Sequence, residues 1–509
     1  MASVSETQEK TYGAIRWVML GVLCASLLLV AMDATILNVA LPSLIDDLQV
    51  GPLEQLWIID IYGLVLGGLL ITTGALGDRV GRKLLFISGF VLFGIASVIA
   101  ATAGSAAQLI GGRVLLGIGG AMVMPSTLSL IRNIFTDVRE RTMAIGIWAA
   151  VAGVGATVGP IVGGFLVEHF GWSSAFWLNV PVVLVTVVVG LWVLPEYRAP
   201  QAGSLDWFAA GLSIAGIVCL AWGIKHLAKG EASVVDWAIL LVGIGALAWF
   251  TRRQLTAADP LLDVRLFRNG AFTAAAVATL LAMMAIGAAM FLISLWLQYV
   301  HGYSPSQAGI RMLPAALTLL TASLLTPMLM DKFGVRTVLG VGLGAVALGF
   351  LVLAVSQEPT TYPVIALVLV SFGLGDGMAV TAAAAVLVGV VPADRAGQAG
   401  AVEETNYEVG VGFGVALLGS LHARIFSQHM ANVPVPADKV DQATGSVGGA
   451  AEVATELPEP ARTQLVGAAS HAFDTALTTT AYLSAAVVGV VTVVTVWLVP
   501  KGFRVTGGH

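Results

Sequence analysis

Charge is scarce in this chain: of 509 residues only 11% are Asp, Glu, Lys or Arg, against roughly a quarter in soluble globular domains. Cysteine is nearly missing. Cys24 and Cys219 both lie in apolar runs, which gives no basis for a disulfide framework. The sequence has no His-Glu-x-x-His zinc pair and no Walker loop, so metal and nucleotide signatures are lacking and ATP is not the expected energy source. The net charge of -5 gives no reason to expect a nucleic-acid partner. Apolar surface, by contrast, is abundant: 57% hydrophobic residues, 59 glycines and a mean hydropathy of +0.90. That balance excludes a water-soluble enzyme and predicts an all-α protein with lipid as its solvent.

A membrane-crossing helix needs about 20 apolar residues. Fourteen runs qualify, near 17–40, 55–76, 84–103, 107–130, 143–166, 173–194, 206–226, 234–251, 271–300, 306–330, 337–356, 362–390, 399–424 and 474–498. The first contains Asp33 and is too long and internal for a cleaved signal, and residues 1–15 read as a cytoplasmic tail. With that tail inside, 18 of the 25 Lys and Arg fall in cytoplasmic segments, among them Arg79, Arg82, Lys83, Arg132, Arg139 and Arg141. Five fall outside (Lys225, Lys229, Arg424, Lys439, Arg462), and Arg113 and Arg311 lie within helices. This is a positive-inside pattern and puts both termini in the cytoplasm. The one long loop, 427–472, is expected outside; it holds Pro434, Pro436, Pro458 and Pro460, and its Ala-rich stretches suit short surface helices or a hairpin. It serves either as a solvated loop or as a substrate gate.

Two loops repeat each other. Gly74-Ala-Leu-Gly-Asp78-Arg79-Val-Gly81-Arg82-Lys83 follows the second run and Pro327-Met-Leu-Met-Asp331-Lys332-Phe-Gly334-Val-Arg336 the tenth, with 253 residues between the aspartates. The shared pattern is Asp, base, apolar, Gly, x, Arg. It predicts two copies of a six-helix unit, residues 16–200 and 256–509, with two extra helices inserted at 201–255. Parallel repeats of this kind build alternating-access transporters. The carboxylates and bases of these loops suit contacts that close the cytoplasmic side and break on opening; topology alone would not require the glycine spacing.

Charges inside the spans are costly, at about 2.5–3.5 kcal/mol each on insertion scales, so each needs a partner or a wet cavity. Asp33 and Arg113 share a depth, roughly 10 Å from the outer surface at 1.5 Å per residue. An ion pair there is either a proton-coupling element or a static brace. Asp60 stands beside Trp57 and Tyr62, which suits a lipophilic cation, although aromatics at that depth also form interfacial belts. Glu404 and Glu408 are one turn apart with Tyr407 alongside, and Glu403 is rotated by about 100°. Like-charged neighbours in low dielectric favour holding a proton. In the fifth helix Gly155, Gly159, Gly163 and Gly164 clear a face for close helix approach, while Pro160 bends the backbone. Gly373-Leu-Gly375-Asp376 spells the motif of intramembrane aspartyl proteases, yet no Tyr-Asp pair supplies the second acid.

Together these residues resemble the major facilitator superfamily, and within it the fourteen-helix drug:proton antiporters of the QacA type. The loop from Gly74 to Lys83 is similar to the superfamily's cytoplasmic signature, and Asp33-Ala-Thr35-Ile-Leu-Asn38-Val-Ala-Leu41-Pro42 to the family's first-helix motif. Arg113-Val-Leu-Leu-Gly117-Ile-Gly119 resembles its fourth-helix motif, and Gly146, Gly155, Gly159-Pro160 and Gly163-Gly164 match the spacing characteristic of exporters. Glu403-Glu404-Thr-Asn-Tyr407-Glu408 resembles the acidic segment of QacA-type pumps. The resemblance implies a monomer in the cytoplasmic membrane, without cofactor or resident metal. It would export lipophilic organic cations such as quaternary ammonium compounds and dyes in exchange for protons. The alternative is a proton-coupled symporter, or an exporter of a non-cationic metabolite. One departure bears on substrate charge: some members carry an acid in helix 10 that favours divalent cations, and Leu313-Pro314-Ala-Ala-Leu317-Thr318-Leu319 has none. Asp376 is the nearest substitute.

Overall fold

The computed structural model describes residues 13, 15–198, 206–228, 233–257, 260–356, 359–391, 396–431, 433, 435–436 and 438–500. Nearly all of the 1–15 tail, Lys229, Pro434 and the 200/201 boundary lie outside the described residues. Fourteen helices among those described are long and apolar enough to cross a membrane. They are α1 (Ile15–Leu48), α2 (Pro52–Val80), α3 (Arg82–Ala101), α4 (Ala106–Ile134), α5 (Val138–Phe170), α6 (Ser174–Val193) and α7 (Trp207–Ala228). The remainder are α8 (Val234–Thr256), α9 (Gly270–Val300), α10 (Pro305–Phe333), α11 (Val335–Ala354), α12 (Tyr362–Gly389), α13 (Ala396–Met430) and α14 (Ala461–Leu498). Side chains cap several starts, as Ser105, Asp137, Ser233, Asn269 and Ser304 do, satisfying amides that hydrocarbon cannot.

The packing is that of two six-helix bundles with two inserted helices. α1 packs on α5, α2 and α3 on α4, and α3 on α6; eight helices later α9 packs on α13, α10 and α11 on α12, and α11 on α14. The two bundles meet along α2 with α13, α5 with α10, and α1 with α9. α7 and α8 pack on each other, and α7 leans on α2.

Prolines inside these helices free carbonyls for neighbouring helices. Pro42 does not end the first helix near residue 40, as the apolar run suggests; α1 continues to Leu48. A proline lacks the N–H that would bind the carbonyl four residues earlier, so Asn38 O is freed, and it accepts from Ser294 Oγ of α9. Pro125 likewise frees Ala121 O, which accepts from Thr73 Oγ1 of α2 at 2.5 Å.

The two repeated loops share one backbone device. Gly81 has φ +117° and Gly334 φ +82°, a region side chains rarely adopt, and each ends one helix and begins the next within a single residue. These loops mark what is here termed the basic side; residues 431–460 mark the opposite, long-loop side. The long loop is shorter than expected, because α13 runs on to Met430 and α14 begins at Ala461. Short helices Val440–Gly445 and Val447–Glu456 occupy it, braced by a Lys439–Glu456 ion pair. Two basic residues assigned to outer loops also change place: Lys225 is a buried residue of α7 and Arg424 belongs to α13.

Candidate functional site

Asp33 and Arg113 meet. Arg113 Nη1 donates to Asp33 Oδ2 at 2.6 Å, with side chains 1% and 0% exposed. The remaining guanidinium donors reach Ile58 O at 3.1 Å and Ile59 O at 3.3 Å on α2, and the group lies 4.5 Å above the Tyr62 ring. Asp33 Oδ1 accepts from Asn179 Nδ2 at 3.2 Å, and that amide also donates to Ser97 Oγ at 3.0 Å. α1, α2, α3, α4 and α6 therefore converge on one carboxylate. Asn179 and Ser97 were not foreseen as members; a lone amide in the run Trp177-Leu-Asn179-Val was the available signal. Asn179→Ala is expected to destabilise the protein by about 1–3 kcal/mol, the cost of an unsatisfied buried partner, read as a lower Tm of the purified protein.

Asp60, Trp57 and Tyr62 do not form one aromatic-lined acid. Tyr62 turns to Arg113 and donates from its hydroxyl to Val30 O at 3.2 Å. Two residues along a helix is a rotation of about 200°, so Asp60 faces elsewhere. It accepts from Lys225 Nζ of α7 at 2.8 Å, and that nitrogen lies 3.4 Å from the centroid of the Trp57 ring. Lys225 escapes sequence reading because it stands near a helix end, where lysine commonly marks a loop.

The acids of α13 lie where the bundles meet. Glu403, Glu404, Tyr407 and Glu408 are all half-buried, and Asp376 of α12 is buried. A Cβ placed on Gly63 of α2 would stand 3.0 Å from Glu408 Oε2, so the glycine makes room for that carboxylate. Thr405 Oγ1 donates to Gly67 O across the interface at 3.2 Å, and Asn406 Nδ2 to Ala276 O of α9 at 3.2 Å. Tyr407 is within electrostatic range of Asp376, Glu404 and Glu408, and Glu408 within range of Arg113. Among the described residues, neither Asp376 nor any of the three glutamates is in an ion pair.

The glycines of α5 serve two neighbours rather than one. Cβ atoms on Gly155, Gly159 and Gly163 would overlap α1 at Leu28, Thr35 and Ile36, whereas one on Gly164 would overlap Pro305 of α10. Gly309 of α10 reciprocates by clearing Pro160 O. Gly146 faces open space. Hydrogen bonds from Ser304 and Ser306 to Glu168 add to this seam, and Tyr299 to Pro42 O and Asp46 and Gln298 to Val39 O join α9 to α1. The hydrogen bonds between bundles among the described residues run from the long-loop side down to Gly67.

On the basic side, Asp78 binds Arg82 at 2.5 Å, within its own loop. The carboxylate that meets the start of α3 is Glu196, which accepts from Lys83 N at 3.1 Å. Arg82 N donates to Tyr197 O at 2.9 Å, while its Nε and Nη1 are buried without partners among the described residues. Gly74 is half-buried, Arg79 exposed, Asp331 exposed and Arg336 half-buried.

The family model described as Major Facilitator Superfamily matches residues 23–415. The chain is 41% identical over 476 residues to the multidrug efflux pump LfrA of Mycolicibacterium smegmatis, covering 93% of this chain and 94% of that one. It is 37% identical over 465 residues to the methyl viologen resistance protein SmvA of Salmonella typhimurium, covering 90% and 93%. Among solved structures, a bacterial homologue of the human lysosomal transporter Spinster superposes with a TM-score of 0.65 at 17% identity, covering 96% of this chain and 98% of that one. Fourteen apolar helices, the doubled bundle and matches over nearly the whole length lead to one conclusion: the chain belongs to the major facilitator superfamily, as a multi-pass membrane transporter and not an enzyme.

Proposed function

We propose that the protein is an antiporter exporting lipophilic organic cations across the cytoplasmic membrane in exchange for protons, with the basic side and both termini in the cytoplasm. The observation that carries this reading is the row of acids Glu403, Glu404 and Glu408 on α13, the helix that meets α2 of the first bundle, with Asp376 of α12 near Tyr407; among the described residues no basic residue is paired to them. Carboxylates in a low-dielectric seam must be neutralised by protons or by a cation. Those two ligands exclude each other, and exchange follows without further machinery. Tyr407 offers an aromatic face to the cation. The names of the relatives, a multidrug efflux pump and a methyl viologen resistance protein, support the same class of cargo.

In this reading the Asp33–Arg113 pair couples proton uptake to movement, since a proton on Asp33 would release Arg113 from α1 toward Glu408. The unpartnered nitrogens of Arg82 are donors kept for a contact with the other bundle when the cytoplasmic side shuts. Residues 16–200 and 256–509 rock about the acids of α13, with the inserted helices of 201–255 set against both bundles through α7. A single chain holds every part of this machinery, so the working unit is a monomer.

The test is ethidium accumulation by purified protein in liposomes, everted and with an acid interior, with an ionophore control. Gradient-dependent accumulation is expected, and Glu408→Gln is expected to remove it while the protein stays monodisperse. Absence of accumulation for ethidium and for a quaternary ammonium dye, in folded protein, would overturn the cation reading.

A further inference from the structure

The inserted helices are held to the molecule by little. α8 buries only Gly243 and Gln254 and packs chiefly on α7, while α7 leans on α2 and touches α13. Into this thin contact the chain places a fully buried ion pair. Lys225 and Asp60 have side-chain exposures of 0% each, inside an apolar cluster that includes Trp57, Ile61, Ile217, Ala221 and Val409. Lys225 Nζ rests 3.4 Å from the Trp57 ring centroid, and Trp222 leans on Trp57 at 5.8 Å. A nitrogen cation over an indole face, beside a carboxylate, is how proteins recognise organic cations.

The carboxylate is only half used. Asp60 Oδ1 binds the ammonium, while Oδ2 is buried with no hydrogen-bond partner among the described residues. A pair serving stability alone would be expected to satisfy both oxygens, because an unpaired buried acceptor carries its full desolvation cost. Lys225 is also well placed to leave. It lies three residues before the end of α7 at Ala228, about 5 Å along the axis, so its flexible stem can carry the ammonium to the interface by a rotamer change.

We infer that Lys225 is a tethered occupant of a cation site formed by Asp60, Trp57 and Trp222, and that a transported organic cation exchanges with it there. The inference rests on the cation reading above. It makes the inserted helices part of substrate selection: a cation enters only by out-competing the lysine, which favours aryl or methylated nitrogens that sit well on indole and disfavours strongly hydrated ammonium groups.

Ethidium binding to the detergent-purified full chain tests this, by fluorescence titration of wild type, Lys225→Gln, Asp60→Asn and the double variant. If Lys225 vacates the site about a tenth of the time, its removal tightens binding about tenfold. Asp60→Asn should weaken binding whether or not Lys225 is present. Binding unchanged or weakened by Lys225→Gln in folded protein overturns the inference. Should that variant not fold, reductive methylation of the wild type with isotopically labelled formaldehyde replaces it. Lys225 should become modified when ethidium is added, and protection unchanged at saturating ethidium overturns the inference. Ethidium binding that ignores both Lys225 and Asp60 leaves the cation reading standing and removes this one, whereas no binding to any form, with no transport, removes both.

Discussion

Asp33→Asn is expected to abolish gradient-driven ethidium export, because the position no longer titrates, and to lower Tm, since breaking a buried ion pair from one side costs ~3–5 kcal/mol of stability. Asparagine keeps the shape and can still bond Asn179 and Arg113, so the fold should survive with a reduced Tm. It leaves Arg113 charged among Ile58 O, Ile59 O and the Tyr62 face, without its anion. A second variant separates coupling from bracing. Asp33→Asn combined with Arg113→Gln removes both charges and should recover most of the lost Tm, because the penalty came from an uncompensated ion. Transport should stay lost, as no titrating group remains at the position. Recovery of wild-type export in the double variant would show that the pair is a brace and nothing more.

The second large effect is expected at the seam between α5 and α10. Gly164→Leu puts a branched side chain where Pro305 and Ser306 now lie, and Gly309→Val does the same against Pro160. Overpacking of this kind typically costs ~1–3 kcal/mol, and here it acts on one conformation only, the one closed on the long-loop side. A bias of that size moves a two-state equilibrium by roughly ten- to a hundredfold. Both variants should therefore shift the protein toward opening on the long-loop side and lose most transport. Spin labels at Arg79→Cys and Lys332→Cys, exposed positions on the basic side, in a background without Cys24 and Cys219, would read the shift as a shorter distance. An unchanged distance distribution together with normal transport would show that closure at this seam is not part of the cycle. Gly155→Leu is the control: it clashes with α1 inside the same bundle and should lower Tm without biasing the labels.

The second prediction places movement at a contact between bundles, and contacts of that kind were the hardest to read from the chain. The glycines of α5 were legible as a clear face because small residues recur at helical spacing. That Gly164 looks across to the other bundle was not, since it depends on how α10 breaks at Met312 and sends its first turn under α5. The signature loops behaved the same way. Their glycines were evident from spacing, and positive φ explains them, yet the partner of α3 proved to be Glu196, more than a hundred residues downstream.

Sequence alone determined the solvent, the fourteen spans, the doubled six-helix unit and the set of costly intramembrane charges. Those features follow from local or periodic properties: the length of apolar runs, the depth of a residue within its own helix, a motif repeated at one spacing. Depth was enough to bring Asp33 and Arg113 together, because each stood at a countable distance from a helix end. Tertiary structure decided which charges are paired and which are not. Asp60 reads beside Trp57 and Tyr62 as an open cation site, but helix rotation turns Tyr62 away and a lysine from an inserted helix fills the place. Glu404, Glu408 and Asp376 read no differently in kind and have no basic partner among the described residues. Pairing across distant helices depends on how whole helices are rotated and leaned against one another, a property of many residues at once that no single segment records.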